Sequence, residues 1–366
     1  MKKVISAGIL FLLFGIFLVL QIDTKNPEQI TTVTESSETE AFGNTNNILA
    51  TSTIGRLFMI GHWAETPVEE TSRLIEEYGF AGVIIMSAPE NPAKISSWTT
   101  AWQLVSENQL LIAIDQEGGP VSRLKTDEFI QTAQKEISTP EEAFAVGLTR
   151  GQELKQLGIN MNFAPVLDTA EDPDSFMYSR TFPQNADSAE LAATMADGMR
   201  EAGVIAVAKH FPGHDDTEDD SHTTLPLVSI TKNELVDFVL PFTTFINTFS
   251  PEALMTAHVQ FTNIDPVPAT LSSFFLGDFL RNDLKFSGAV ITDDMSMDAV
   301  ETIWGSDGAS VMALEAGADL ILFAAEPYKA PSAFETIRVK SESDENFRIR
   351  LIEASQRVES LQDVAQ

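Results

Sequence analysis

Past residue 50 the chain repeats one pattern: a short run of apolar, often β-branched residues, then a longer stretch in which apolar positions recur every three to four residues. Continuous short apolar runs read as strands buried on both faces, and the 3.6-residue recurrence reads as helices that cover them. Eight strands are predicted, over Leu57–Ile60, Gly82–Met86, Leu111–Ile114, Asn160–Ala164, Val204–Ala208, Ala253–Ala257, Gly288–Thr292 and Asp319–Phe323. Between them the periodicity predicts helices over Pro67–Tyr78, Ile95–Asn108, Pro140–Leu157, Ala189–Ala202, Lys232–Phe249, Ser272–Asn282 and Ala309–Ala316. Eight such units in about 300 residues fit an α/β fold of the (β/α)8 barrel type in a single domain. An open doubly wound sheet is the competing arrangement, because periodicity does not fix strand order.

The first fifty residues break the pattern. Val4 to Ile22 is an apolar run interrupted only by Ser6 and Gln21 and preceded by Lys2 and Lys3, the charge-then-hydrophobe order of an export signal. As a helix rising about 1.5 Å per residue it nearly spans a hydrocarbon layer of about 30 Å. No Ala-x-Ala cleavage site follows closely, so residues 1–22 are expected to be an uncleaved membrane anchor, with a cleaved signal peptide as the alternative. Either way the rest of the chain is expected outside the cytoplasm, secreted or membrane-anchored, with the two lysines inside. Residues 23–50 turn to Thr, Ser, Glu and Asn, with too little apolar surface to offset the cost of ordering them, and read as a flexible linker. Residues 51–366 are then the folded module, expected to be a monomer.

Composition narrows the partners. Of the 366 residues 43% are apolar, enough for a large core, and the 54 acids against 23 bases give a net charge of −31. The first fifty residues hold five acids and three lysines, so nearly all of that excess belongs to the folded module. Such a field repels phosphate backbones and anionic headgroups, which excludes nucleic-acid binding and polybasic membrane docking. The absence of cysteine excludes thiolate metal sites, Cys nucleophiles and a lipid-modified N-terminal Cys.

In a barrel the chemistry sits on loops that follow the C-terminal strand ends. All five histidines are expected there: His62 after the first strand, His210, His214 and His222 after the fifth, and His258 at the end of the sixth. The stretch Lys209-His210-Phe211-Pro212-Gly213-His214, continuing to Asp220-Ser221-His222, reads as a loop. Asp220 lies two residues before His222, where a carboxylate can fix the imidazole tautomer and raise its pKa for general acid work. The alternative is a solvated acidic loop or a Ca2+ site made from Asp215, Asp216, Glu218, Asp219 and Asp220, though EF-hand spacing is absent. A second cluster, Thr292-Asp293-Asp294-Met295-Ser296, ends a strand, and Asp293 there can either attack an anomeric carbon or cap the next helix. In the third, Asp115-Gln116-Glu117-Gly118-Gly119-Pro120-Val121-Ser122-Arg123, the glycines permit a tight turn and Asp115 and Arg123 can bind hydroxyls.

Together these clusters resemble the family 3 glycoside hydrolases, in particular their single-domain, NagZ-type β-N-acetylhexosaminidase branch. The resemblance covers about residues 54 to 330 and rests on Asp115-Gln-Glu-Gly-Gly, Asn162-Phe-Ala-Pro-Val-Leu-Asp168, Ser179-Arg180-Thr-Phe182, Lys209-His-Phe-Pro-Gly213, Asp220-Ser-His222, Met255-Thr-Ala-His258, Pro268-Ala-Thr-Leu-Ser272 and Thr292-Asp-Asp-Met-Ser296, in family order. It implies that Asp293 is the nucleophile, His222 the general acid/base and Asp220 its partner. It also implies that Asp115, Arg123, Arg180, Lys209 and His210 line the sugar subsite, with the Lys209-His210 peptide folded tightly beneath the sugar. Asp215 replaces a common Gly, and Pro120 stands where an Arg often follows the Gly pair.

Two-domain members of the family take their acid/base carboxylate from a second domain, but the residues after about 330 suffice here for one or two helices. The proton donor is therefore expected within the barrel. The implied reaction is retaining exo-hydrolysis of terminal N-acetylglucosamine from peptidoglycan fragments or related oligosaccharides, for which no metal or organic cofactor is needed. Two other readings stay open: a phosphorylase, which release rates with and without phosphate would separate, and a non-catalytic cell-wall binding protein.

Overall fold

The computed structural model describes residues 49–183, 188–214 and 224–366. The expected anchor, nearly all of the linker, Asp220 and His222 lie outside the described residues. Among the described residues no helix is long and apolar enough to cross a membrane.

Eight parallel strands close into a barrel: β1 (Phe58–His62), β2 (Gly82–Ile85), β3 (Leu111–Ile114), β4 (Met161–Asn162), β5 (Ile205–Phe211), β6 (Ala253–Thr256), β7 (Ala289–Asp294) and β8 (Leu320–Phe323). Closure is made by β1 against β8, with Phe58, Met59 and Ile60 opposite Ile321, Leu322 and Phe323. That pairing decides between the two architectures, since an open sheet leaves its first and last strands unpaired. The strand parity sorts the core. Met59, Ile84, Leu111, Met161, Val207, Met255, Ile291 and Leu322 pack together inside the barrel, while Phe58, Ile60, Val83, Ile112, Val290 and Phe323 pack outward against the helices.

The N-terminal end of the barrel is closed by the last helix, Glu345–Val364, whose Val358 and Leu361 join the interior cluster. Buried Asp319, just before β8, ties this end together. Its carboxylate accepts from Arg281 at 2.6 Å, Arg350 at 2.7 Å, Arg357 at 3.1 Å and the Val290 amide at 2.9 Å.

The strands depart from expectation mainly at their C-terminal ends. β4 stops at Asn162, ahead of Pro165, which has no N–H to give a ladder. β5 runs on to Phe211, so Lys209 and His210 belong to a strand and not to the expected loop. β7 runs on to Asp294 and carries Asp293 within it. Both extensions are irregular, with register shifts between Ala208 and Phe211 and between Ile291 and Asp294. Such bulges re-aim side chains at a strand end.

Among the helices, the stretch expected as one, Lys232–Phe249, is two, Lys232–Phe238 and Leu240–Phe249. Pro241 explains the break, since it has no N–H for the carbonyl four residues back and its ring crowds that carbonyl. Phe274–Asp283 winds as a π-helix. Helices Ala330–Ser343 and Glu345–Val364 take up the chain beyond residue 330.

Candidate active site

Four neighbouring segments at the C-terminal strand ends build one charged floor. The chain leaves β3 through Asp115 and turns in a short hairpin, Gln116–Gly118 against Val121–Ser122. Gly118 and Gly119 make that turn with φ of 90° and 60°, and a Cβ at Gly118 would fall 2.1 Å from the Thr132 carbonyl oxygen. The Gln116 side-chain oxygen accepts from the Arg123 and Leu124 amides, fixing the returning limb. Arg123 then reaches back to Asp115, Nη2 to Oδ2 at 3.0 Å.

From β5, Lys209 Nζ inserts between two carboxylates, 2.7 Å from Asp115 Oδ1 and 2.7 Å from Glu117 Oε1. Arg180 grips Glu117 in two bonds, Nη2 to Oε1 at 2.8 Å and Nε to Oε2 at 3.0 Å. Burial opposes ionisation of Asp115 and Glu117, but Lys209 with Arg123 or Arg180 more than offsets it and holds both below the ordinary carboxylate range. Burial opposes the charge of Lys209 as well, and the two acids outweigh it and raise its pKa. This floor is a preorganised set of charges, with Asp115 and Arg123 partly open to the mouth.

Asp168, on the segment after β4, organises the next stretch. Its Oδ2 accepts from His210 Nδ1 at 2.6 Å and from the His210 amide at 3.1 Å, and its Oδ1 from the His214 amide at 2.8 Å. The peptide bonds Ala164–Pro165, Lys209–His210 and Phe211–Pro212 are cis. Burial would raise the Asp168 carboxyl, but chiefly His210 holds it down to about 2. Burial likewise pushes His214 down to about 4, against the opposite pulls of Asp168 and Asp293. A carboxyl depressed from 3.8 to about 2 contributes stability that is fully present above its unfolded value and is lost as pH falls towards the folded one. Asp168→Asn is therefore expected to cost roughly 2 kcal/mol at pH 6. The stability gap between native and variant should narrow as the pH falls from about 5 to about 2; a gap in urea denaturation that does not change with pH would contradict this role.

Asp293 stands half-buried on β7, and the Asp294 amide donates to its Oδ1 at 2.8 Å. Asp294 points the other way and serves as a clamp. Its Oδ1 accepts from Ser296 Oγ at 2.6 Å and the Ala324 amide at 3.1 Å, and its Oδ2 from the Ala325 amide at 2.8 Å. His258 completes the clamp: its Nε2 lies 3.1 Å from the Asp294 carbonyl, and its Nδ1 lies 2.8 Å from Thr270 Oγ1. Since a carbonyl only accepts, Nε2 carries a proton and donates to Asp294, while Thr270 Oγ1 donates to the Ala257 carbonyl at 2.9 Å and holds the other edge of the ring. Burial favours the neutral ring by lowering the His258 pKa.

Asp115, Arg123, Arg180 and Lys209 are thus joined with Glu117 by ion pairs, His210 follows Lys209 on β5 and pairs with Asp168, and Asp293 lies near the β7 end. Asp220 and His222 lie outside the described residues. The expectation for His62 is corrected. It ends β1 but faces outward, 2.8 Å from Thr71 Oγ1 and edge-on to Trp98 and Trp102, and burial lowers its pKa to about 4. It is a packed core residue. Conversely, the sequence motifs contain Glu117, Asp168 and Asp294 without giving them a role. Only Glu117 had a readable signal, since it is two residues from Asp115 and so shares its face of an extended segment.

The chain matches the model of the glycosyl hydrolase family 3 N-terminal domain over residues 50–361. A β-hexosaminidase of Nitrosomonas eutropha is 32% identical over 315 residues, which is 81% of this chain and 89% of that protein. Another, from Psychromonas ingrahamii, is 36% identical over 245 residues, 64% of this chain and 72% of that one. Among solved structures, a glycoside hydrolase family 3 β-N-acetylglucosaminidase from Paenibacillus sp. str. FPU-7 matches at TM-score 0.80 and 32% identity over 87% of this chain, which spans 63% of that longer one. A β-N-acetylhexosaminidase of Beutenbergia cavernae matches at TM-score 0.79 and 29% identity, over 87% of this chain and 100% of that one. With a barrel of this closure and a family match over residues 50–361, the chain belongs to the family 3 glycoside hydrolases.

Proposed function

We propose that this family 3 enzyme is a retaining exo-β-N-acetylglucosaminidase. The observation that carries the reading is Asp293, an accessible carboxylate on a strand end immobilised by its neighbour Asp294, opposite the charged floor of Asp115, Arg123, Arg180, Lys209 and His210. In the first step Asp293 forms a bond to C1 of the terminal sugar as the glycosidic C–O bond breaks, and His222, partnered by Asp220, gives its proton to the leaving oxygen. In the second step His222 takes a proton from water, which attacks C1 and releases Asp293. The Asp168 carboxylate fixes the His214 amide, the last described residue before Asp220 and His222 in the chain, and so supports these roles.

The substrate is terminal N-acetylglucosamine on peptidoglycan fragments or related oligosaccharides. The names of the relatives support the sugar, and Lys2 and Lys3 before the apolar run Val4 to Ile22 support an extracytoplasmic, anchored position near such glycans. The enzyme works as a monomer and without a cofactor. Substituting His222 tests the assignment. His222→Ala should lower kcat/KM by about 10² to 10⁴ on substrates with poor leaving groups and far less on activated aryl glycosides. Equal losses on both would show that His222 is not the acid.

A further inference from the structure

A groove of about 440 Å³ runs from the segments that follow β1 and β8 along the helix Val68–Tyr78. Trp63, Tyr328, Tyr78, Glu70, Arg73 and Ala325 are among the residues that line it. Two observations join it to the chemistry. Ala325 lines the groove and also donates its amide to Asp294, the clamp behind Asp293. In addition, β8, which leads into Ala325 and Tyr328, pairs directly with β7, the nucleophile's strand.

The two outer rings are held by their polar edges. Trp63 Nε1 donates to the Ala325 carbonyl at 3.3 Å, and the Tyr328 hydroxyl donates to Glu326 at 2.6 Å. Tyr78 instead packs inward, stacked on Phe80. Tyr328 is 68% exposed, and among the described residues no aromatic ring lies against it or against Trp63. Anchored rings, half-buried at Trp63 and exposed at Tyr328, match the C–H faces of a pyranose, and Glu70 beside them, with Arg73 held by Glu77 at 2.9 Å, matches its hydroxyls. In a chain of −31 the groove favours a neutral ring over an anionic one.

We propose that Trp63 and Tyr328 form an accessory subsite for a further pyranose unit of the glycan, on the leaving-group side of the bond that Asp293 attacks. The subsite deepens the glycosidase reading and rests on it. An exo-acting enzyme holds the terminal sugar at the nucleophile, so the rest of the chain must extend this way or another along the rim.

The test uses the full-length protein with Trp63→Ala, Tyr328→Ala, the double variant and Trp63→Phe. Their kcat/KM is measured on an aryl N-acetylglucosaminide and on an N-acetylglucosamine tetrasaccharide. Each ring removal should lower the tetrasaccharide value about five-fold and both together about twenty-fold, mostly through KM, with the aryl value within about two-fold of native. Trp63→Phe should retain most of the tetrasaccharide activity. An unchanged tetrasaccharide value, or an equal fall on both substrates, overturns the subsite. If the native protein cleaves neither substrate, the glycosidase reading fails. The groove is then judged by tetrasaccharide affinity, which the double variant must weaken for the subsite to stand.

Discussion

Asp293→Ala is expected to lower kcat by at least about 10⁴-fold while leaving the protein folded. The loss is large because no neighbouring group can replace the bond that a carboxylate makes to C1. Asp294 has the right chemistry, but its oxygens already accept from Ser296, Ala324 and Ala325, and its side chain is buried. Stability should change little. Asp293 is half-buried and Asp294 keeps its clamp, while the bond from the Asp294 amide to Asp293 Oδ1 is lost. Turnover and melting temperature measured on the same sample check both halves of this expectation. Residual activity above about one percent of native would argue against Asp293 as nucleophile.

Lys209→Met should damage both fold and activity. The Lys209 side chain is 4% exposed and, among the described residues, is the one cation that touches both Asp115 and Glu117, at 2.7 Å each. Removing it leaves buried Glu117 to Arg180 and half-buried Asp115 to Arg123, and breaking a buried ion pair in this way costs about 3–5 kcal/mol. The sign of the pH dependence follows from the depressed pKa values of Asp115 and Glu117. Their stabilisation by Lys209 is present above the ordinary carboxylate range and is lost as pH falls through it, so the variant's deficit should be largest near neutrality and smaller in acid. Activity should fall about 100-fold or more, because Asp115 and Arg123 no longer hold their positions at the mouth. Lys209→Arg should rescue little, since a planar fork cannot replace a point charge between two carboxylates. Denaturant unfolding at neutral and acid pH, with kcat/KM alongside, tests this; a pH-independent deficit would contradict it.

The barrel was legible because its strands are buried on both faces and so appear as unbroken apolar runs. The same signal blurs the strand ends. Lys209, His210, Asp293 and Asp294 are polar residues on strands, and reading a strand as an apolar run ends it before them. It also hides facing. A run apolar on both faces does not say which residues point inward, so His62 at the β1 end looked like a mouth residue although it packs against Trp98 and Trp102. The helix break at Pro241 was readable from the proline alone. Asp168 and Asp294 were not readable as anchors, because His210 and the His214 amide reach Asp168, and the Ala324 and Ala325 amides reach Asp294, only across the fold.

Incubation with a fluorinated N-acetylglucosaminide whose second step is slow, followed by intact mass and peptide mapping, tests Asp293 as the nucleophile most directly. One sugar per protein, attached to the peptide that contains Asp293 and absent from Asp293→Ala, is the expected result. Substrate turnover without any adduct, or an adduct on another carboxylate, would contradict it.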